Sequence, residues 1–261
     1  MEISRLEMNK KIIFTIVAGF FLGLHAVGSP VVFEHGGKYG LVDGAWKLIA
    51  SPVYDEIGDF SDGFARVCLN GKYSFISESG KLLWDPIFED AADFSNDFAR
   101  VKLNGRWAFT NKQGKLIVDP IFDEAGNFTS KGYAKVRLNC KWAFINSSGK
   151  FVSSAIYENI STVSTSTPFP YQLNGLWGYM DYTGKLITDP IFEDAEDFSE
   201  DLARVRLDDL WGYIGTDGSF VIDPIFDEAD DFDSDSDVAE VALKGRPAYV
   251  NKSGKIFFKY D

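Results

Sequence analysis

The sequence predicts an all-β fold of seven tandem repeats of about 34 residues, arranged as a seven-bladed β-propeller. Three observations predict it. Seven glycines, mostly followed by lysine, recur at steps of 34 to 36 residues; they are Gly44, Gly80, Gly114, Gly149, Gly184, Gly218 and Gly254. An aromatic residue followed by a small one precedes each of the first six glycines. A proline followed by an apolar-acidic run follows five of them.

Helical repeats share this period, but the internal pattern excludes them. Each unit contains several glycines, most units contain a proline, and apolar residues alternate with period two. Proline and glycine interrupt helices, and period-two alternation is typical of strands. The repeats are therefore predicted to be built from strands.

The third repeat shows how four strands fit into one unit. Residues 98–103 alternate apolar and basic side chains, which predicts a strand. Asn104-Gly105 predicts a two-residue type I′ turn into a second strand at 107–111. A Gly-Lys turn leads to a third strand at 116–118, and a turn at Asp119-Pro120 leads to a fourth at 121–124. Residues 125–131 then cross to the next unit and anchor one Phe.

When the four strands of each repeat are counted in this order, the first repeat begins with a strand at 31–34 and the seventh repeat ends after its third strand. One pattern favours an alternative, an open superhelical array of β-hairpins. Basic residues recur on the face of the first strand that is opposite its Ala, Val and Leu residues; these are Arg66, Arg100, Lys135 and Arg204, and two residues further on Lys102, Arg137 and Arg206. A basic face suggests a sheet solvated on one side, whereas propeller blades pack on both faces.

These repeated positions resemble the bacterial WG-containing repeat family, over residues 31–261. The Trp-Gly pair itself occurs at Trp177-Gly178 and Trp211-Gly212, and elsewhere Tyr or Ala substitutes, as in Tyr39-Gly40 and Trp107-Ala108. A large ring beside a small residue indicates close backbone approach rather than ligand chemistry. The resemblance implies a repeat module and carries no catalytic motif.

The first 28 residues predict an export signal. Lys10 and Lys11 precede an uncharged run at 12–24, and small residues follow at the positions that a signal peptidase reads. We expect cleavage after Gly28, with Met8 as an alternative start. The run is too short for a membrane-spanning helix, so a retained anchor is the weaker alternative. The mature repeat domain, residues 29–261, is expected in the periplasm, on the cell surface or outside the cell, with no membrane span.

The composition argues against nucleic acid as a partner and against catalysis. The chain carries 39 acidic and 26 basic residues, a net charge of -13, which repels phosphate overall. His35 is the sole histidine of the mature domain, so a triad or a histidine-bound metal would depend on that one residue. Pairs of carboxylates recur in most units, and a residue that repeats in this way indicates structure. We therefore expect no enzyme and no cofactor.

Two segments are candidate binding sites. The fourth repeat lacks the usual motifs over 156–174. In this segment Phe169 lies between two prolines and Tyr171 follows the second of them. We expect either a degenerate polar loop or a partner contact through these two rings. The acidic crossover of the last repeat carries Asp231, Asp233, Asp235 and Asp237, which suggests a loose calcium site or a solvated acidic turn.

The expected function is that of a non-catalytic, exported binding or scaffolding module for a protein or glycan of the cell envelope or exterior. A calcium- or glycan-binding module is the alternative, and an enzyme comes third.

Overall fold

The computed structural model describes residues 30–154, 156–161, 168–232 and 236–259. These residues form strands and turns without a helix, which confirms the all-β class. None of them belongs to a helix that would be long and apolar enough to cross a membrane. The chain divides into two compact units, Met1–Gly132 and Tyr133–Asp261. The predicted signal peptide, residues 1–28, lies outside the described residues.

The first unit contains three antiparallel sheets and one further short strand. The sheets are β1-β2-β3, β4-β5-β6 and β7-β8-β9-β10. The strands are β1 Val31–His35, β2 Lys38–Val42, β3 Leu48–Tyr54, β4 Glu56–Ser61, β5 Phe64–Leu69, β6 Lys72–Ser77, β7 Asp90–Ala91, β8 Phe98–Leu103, β9 Arg106–Asn111, β10 Leu116–Phe122 and β11 Glu124–Ala125.

The second unit contains a hairpin, β12-β13, and three sheets, β14-β15-β16, β17-β18-β19-β20 and β21-β22-β23-β24. The strands are β12 Tyr133–Leu138, β13 Lys141–Asn146, β14 Asn159–Ile160, β15 Phe169–Leu173, β16 Leu176–Met180, β17 Asp194–Ala195, β18 Leu202–Leu207, β19 Leu210–Gly215, β20 Phe220–Phe226, β21 Glu228–Ala229, β22 Val238–Leu243, β23 Arg246–Asn251 and β24 Ile256–Phe258.

One repeat unit is an antiparallel meander of a short strand, two long hairpin strands and an outer segment. With the hairpin β12-β13 counted as the fourth, the described residues form seven sheets, as the sequence predicts, and the strand order within a sheet is that of a propeller blade. The first sheet, β1-β2-β3, has no short strand. The outer segment is a regular strand in β3, β10, β20 and β24. In the second, fourth and fifth sheets isolated bridges hold it instead, among them Tyr73 with Phe88, Trp142 with Tyr157 and Trp177 with Phe192.

Two details of the predicted unit are corrected. After the first sheet, the short strand precedes the long hairpin strands, as β7 precedes β8, so these sheets begin one strand earlier than the sequence predicts. Asp119-Pro120 makes no turn, because β10 continues through it with a register shift between Val118 and Phe122. Pro120 has no N–H to donate, and a bulge in an outer strand accommodates that loss without breaking the strand.

The other two predicted turns of this repeat are confirmed. Asn104 and Gly105 have φ values of 52° and 74°, as a type I′ turn requires. Gly114 has a φ of 75°, which a residue without Cβ adopts readily. The Asn111 side chain accepts hydrogen bonds from the backbone N–H groups of Gln113 and Lys115, and so closes the Gly-Lys turn.

The core lies between consecutive sheets. Phe75 of the second sheet packs on Phe94, which follows the first strand of the third, with ring centroids 4.8 Å apart. Phe94, Phe128 and Phe232 are buried, which confirms the predicted anchoring role of the crossover Phe at these positions. Fully buried apolar side chains of this size each stabilise the fold by about 1.5–3 kcal/mol relative to exposure.

The small residue after the repeated aromatic residue allows the outer segment to approach closely. A Cβ atom on Gly212 would lie 2.7 Å from the carbonyl oxygen of Ile222 and 2.7 Å from the nitrogen of Pro224. Gly178 is crowded in the same way by the carbonyl of Asp189, at 2.8 Å. Such distances are below van der Waals contact, so the predicted close backbone approach is present at both glycines.

We predict that Gly212→Ala lowers the free energy of unfolding by about 1–3 kcal/mol, because the added methyl forces the outer strand away from β19. Gly58→Ala is the matched control, since its Cβ would meet no atom closer than 3.6 Å. Urea denaturation of both variants measures the difference. Equal stability of the two variants would contradict the role assigned to the close approach.

Candidate functional site

The repeated carboxylates hold turns. In each of five sheets, the acid that ends the proline motif, or its equivalent, accepts a hydrogen bond from a backbone N–H of the hairpin turn in the next sheet. These acids are Asp55, Glu89, Glu158, Glu193 and Asp227. The amides of Asn104 and Gly105 share Glu89, for example, at 3.1 and 2.8 Å. The first acid of each of these motifs is therefore part of a turn.

Hydrogen bonds and neighbouring lysines stabilise the charged form of two of these acids, Asp55 and Glu158. Hydrogen bonds from Lys38 and from the Asn70 amide lower the pKa of Asp55 below its ordinary value. The Gly175 amide, together with Lys141, lowers the pKa of Glu158 in the same way. A carboxylate whose pKa lies below the ordinary range serves as an acceptor, and it is a poor general acid.

The repeated basic residues connect consecutive sheets. Arg66 donates a hydrogen bond from Nη1 to the carbonyl of Ala91, at 2.9 Å, in the following sheet. Arg100, Lys135 and Arg204 bond in the same way to the carbonyl 25 residues further on. The predicted solvated basic face is therefore wrong for these four residues, because the neighbouring unit lies against it.

The repeated aromatic residue supports the same cation. The guanidinium carbon of Arg204 lies 4.7 Å from the ring centroid of Trp211, and that of Arg100 lies 5.2 Å from Trp107. Cations over a tryptophan face are attracted by its quadrupole. Trp and Arg thus form one device, here called the cation bridge: a cation that lies over the repeated aromatic ring and donates to the next sheet.

The sites predicted from sequence are placed as follows. Phe169 and Tyr171 are 1% and 0% exposed, and they pack in a core cluster with Phe144 and Tyr157. Neither ring presents a surface to a partner. Proline beside each ring suggested a loop, but residues 169–173 form β15, whose alternation directs large side chains inwards.

The acidic crossover of the last repeat is partly described. Asp231 lies 3.4 Å from Nε of Arg204, whereas Asp233 and Asp235 lie outside the described residues. Asp237 is described and precedes β22. In the described part of the chain, no group of three or more His, Cys, Asp or Glu side chains is arranged to hold a metal ion. A calcium site at this crossover stays a prediction.

Sequence reasoning missed a set of exposed apolar residues. The residue after the repeated proline, or its equivalent, is 37% to 46% exposed in six repeats. We call these residues the outer apolar positions; they are Val53, Ile87 and Ile121 in the first unit and Ile156, Ile191 and Ile225 in the second. The available signal was period-two alternation, because each of them precedes a buried Phe or Tyr.

Carboxylates without ion pairs accompany these positions. An aspartate precedes the repeated proline in four repeats, where it is exposed; the four are Asp85, Asp119, Asp189 and Asp223. Among the described residues none of the four forms a salt bridge. Each outer apolar position of these repeats therefore lies two residues after an uncompensated negative charge, at the outer edge of its sheet.

The family profile described as WG containing repeat matches residues 39–73, 73–107, 108–142, 142–164, 177–211 and 211–246, which is more than half of the chain. The chain belongs to the WG-containing repeat family. No curated protein matches it in sequence. In this WG-repeat protein the aromatic residue that names the family is the platform of the cation bridge.

Solved structures of low similarity also match. Hsv2p of Kluyveromyces lactis is 11% identical, with 85% of this chain and 86% of that chain covered and a TM-score of 0.36. The Pan2 WD40 domain of Neurospora crassa is 14% identical, with 80% and 79% covered and a TM-score of 0.31. A eukaryotic initiation factor is 10% identical, with 88% and 72% covered and a TM-score of 0.41. All three TM-scores lie below 0.5.

We predict that Glu158→Gln lowers the melting temperature at pH 7 and that the difference from the native protein narrows as the pH falls below 4.5. The folded pKa of Glu158 is lowered from 4.5, so its stabilisation is present above that value and is lost as the pH falls. Thermal melting from pH 7 to pH 2.5 measures the difference.

Glu78→Gln is the control for Glu158→Gln, because Glu78 is exposed and forms no hydrogen bond or ion pair with the described residues. A pH-independent difference for Glu158→Gln would contradict the capping role.

Proposed function

We propose that the protein is a non-catalytic, exported binding module that holds another protein of the cell envelope or exterior. One observation carries the proposal: apolar side chains stand exposed at the outer apolar positions of six repeats, and in four of them an unpaired aspartate stands two residues away. Repeat proteins bind partners through surfaces of this kind, in which one contact recurs along the array.

The outer apolar positions and the neighbouring aspartates indicate the chemical class of the partner. Its apolar side chains favour a partner that offers apolar groups, since burial of apolar area drives most protein association. Its aspartates, and the net charge of -13, favour basic groups around those apolar contacts. A basic protein surface with exposed aliphatic or aromatic residues fits both requirements, whereas nucleic acid offers phosphate of the wrong sign.

The proposed absence of catalysis rests on how the reactive groups are used. The repeated carboxylates cap turns, and the repeated cations bridge sheets. His35 is exposed in β1, and no general base or nucleophile stands beside it in the described hydrogen bonds and ion pairs. Catalysis uses a set of groups that occurs once, and the residues that repeat have structural partners.

The proposed location rests on the first 28 residues. Two lysines followed by an uncharged run and small residues form the pattern of an export signal. The partner is accordingly sought outside the cytosol.

We expect loss of partner capture when the outer apolar positions are made polar. The native protein, tagged at its C-terminus, is expressed in the source cell, recovered from the envelope and exterior fractions, and analysed for co-purifying proteins. Ile87→Asn, Ile121→Asn, Ile191→Asn and Ile225→Asn are then combined. We expect this variant to lose a basic protein that the native chain retains, because four apolar contacts lose their buried area.

A matched variant carries four polar substitutions at other exposed apolar residues, namely Trp46→Asn, Leu176→Asn, Val221→Asn and Phe257→Asn. It is expected to retain the partner. Equal loss in both variants, equal retention in both, or recovery of the tagged chain from the cytosol alone would refute the proposal.

A further inference from the structure

The cation bridge is missing from the fifth sheet. In β8 the cation Arg100 stands opposite Phe109 of the neighbouring strand, and in β18 Arg204 stands opposite Tyr213. In β15 the residue in this register is Pro170, which stands opposite Tyr179. Because the strand pairing is unchanged, the substitution removes a cation and leaves the surrounding frame in place.

The groups that hold the guanidinium elsewhere are present around Pro170. The repeated aromatic residue is Trp177, seven residues after Pro170, as Trp211 is seven residues after Arg204. The accepting residue is Ala195, which stands opposite Val205 as Ala229 stands opposite Val241.

The carboxylate partner is also present. Asp93 and Asp231 lie 3.8 and 3.4 Å from the Nε atoms of Arg66 and Arg204, and each follows its arginine by 27 residues. The residue 27 positions after Pro170 is Asp197. Its Oδ2 accepts a hydrogen bond from Ser161, whereas its buried Oδ1 has no hydrogen-bond partner among the described residues.

A cavity occupies the place of the missing side chain. It has a volume of about 370 Å³, and its lining includes Pro170, Trp177, Ala195 and Asp197. Its walls are partly exposed, so it opens to solvent. In the first sheet, where Val32 takes the same register, the apolar side chain packs against the core instead.

The charges around the cavity favour a cation. Asp194, Glu196 and Asp197 line it together with one basic residue, Lys135. The Lys135 ammonium donates to the carbonyl of Ile160 and lies 4.0 Å from the Trp142 ring centroid, so it serves the bridge of its own sheet. Glu196 lies 3.5 Å from Arg204, whereas Asp194 and Asp197 form no salt bridge with the described residues.

The pKa of Tyr179 is consistent with an excess of negative charge around the cavity. Burial, and then the negative charges of Asp197 and Glu196, raise the pKa of Tyr179 far above its ordinary value. The Tyr179 hydroxyl donates to the carbonyl of Glu196 at 2.6 Å, beside the cavity.

We propose that this cavity binds a guanidinium group, carried by an arginine side chain of a partner protein, which completes the cation bridge from outside. The planar group would lie on Trp177 and donate to the carbonyl of Ala195 and to Asp197, as Arg66 and Arg204 do within the chain. A planar guanidinium can stack on an aromatic face while its N–H groups donate to a carbonyl and a carboxylate. An ammonium has no planar face, so it satisfies these three groups less completely. The site goes beyond the proposed function, because it uses none of the outer apolar positions.

The test uses Nα-acetyl-arginine amide as the probe, with ligand-observed NMR on the full repeat domain. We expect saturable binding, and binding of the neutral citrulline analogue that is at least about tenfold weaker, because the charge-assisted bonds are lost. Acetyl-lysine amide measures the preference for guanidinium. Free arginine, which carries an additional carboxylate, distinguishes a small-molecule ligand from a side chain of a protein.

Three variants localise the site. Pro170→Arg supplies the missing cation, and we expect it to abolish probe binding and to raise the melting temperature. Asp197→Asn weakens binding about fivefold or more through the lost charge. Asp201→Asn, which makes the same charge change at an exposed turn outside the cavity, leaves binding unchanged.

Native-like binding by the Pro170→Arg or Asp197→Asn variants would overturn the proposal, as would equal binding of arginine and citrulline probes or no binding of either. If Pro170→Arg fails to fold, Asp197→Asn and Asp201→Asn decide alone. The two proposals are tested separately. A variant that no longer binds the arginine probe but still captures the partner protein has lost the cavity site and kept the outer apolar surface.

Discussion

The cation bridge is the interaction on which the repeat depends. A meander of four short strands has two faces and too little chain to bury either one by itself, so each unit must pack against the next. Between sheets, a guanidinium such as that of Arg100 lies over the ring of Trp107 and donates to the carbonyl of Ala125. One long side chain thereby satisfies a backbone acceptor of the next unit and covers a half-buried ring.

The remaining repeated residues follow from this contact. A small residue after the ring lets the outer segment close over it, as the short distances at Gly178 and Gly212 show. The acid of the proline motif fixes the hairpin turn of the following sheet, and so sets the register of the strand that carries the next cation. Because these side chains already have structural partners, a binding partner must contact other groups. The exposed outer apolar positions and the cavity at Pro170 are such groups.

Much of this was predictable from the sequence. Period, turn chemistry and strand alternation predict the seven sheets, the type I′ turn at Asn104-Gly105 and the buried crossover Phe, because local residue types decide these features. Alternation predicts the face of the strand on which Arg100 lies, but it does not predict what packs against that face. The face that bridges to the next sheet was therefore predicted to be solvated. Phe169 was mistaken for a surface ring because its neighbouring prolines concealed a strand.

The site was less predictable, for a related reason. The outer apolar positions look like core residues in sequence, and their exposure follows from the outer place of their segment in the sheet. The cavity at Pro170 becomes visible only when the register aligns that residue with Arg100 and Arg204. A vacancy of this kind depends on partners 7, 25 and 27 residues away, which the fold brings together.

A double-mutant cycle on Arg204 and Trp211 tests the central claim most directly. Arg204→Met, Trp211→Leu and the double variant are compared with the native protein by urea denaturation. We expect a coupling free energy of about 1 kcal/mol, because the ring and the cation stabilise the next sheet together. Effects of the two substitutions that simply add would contradict the account.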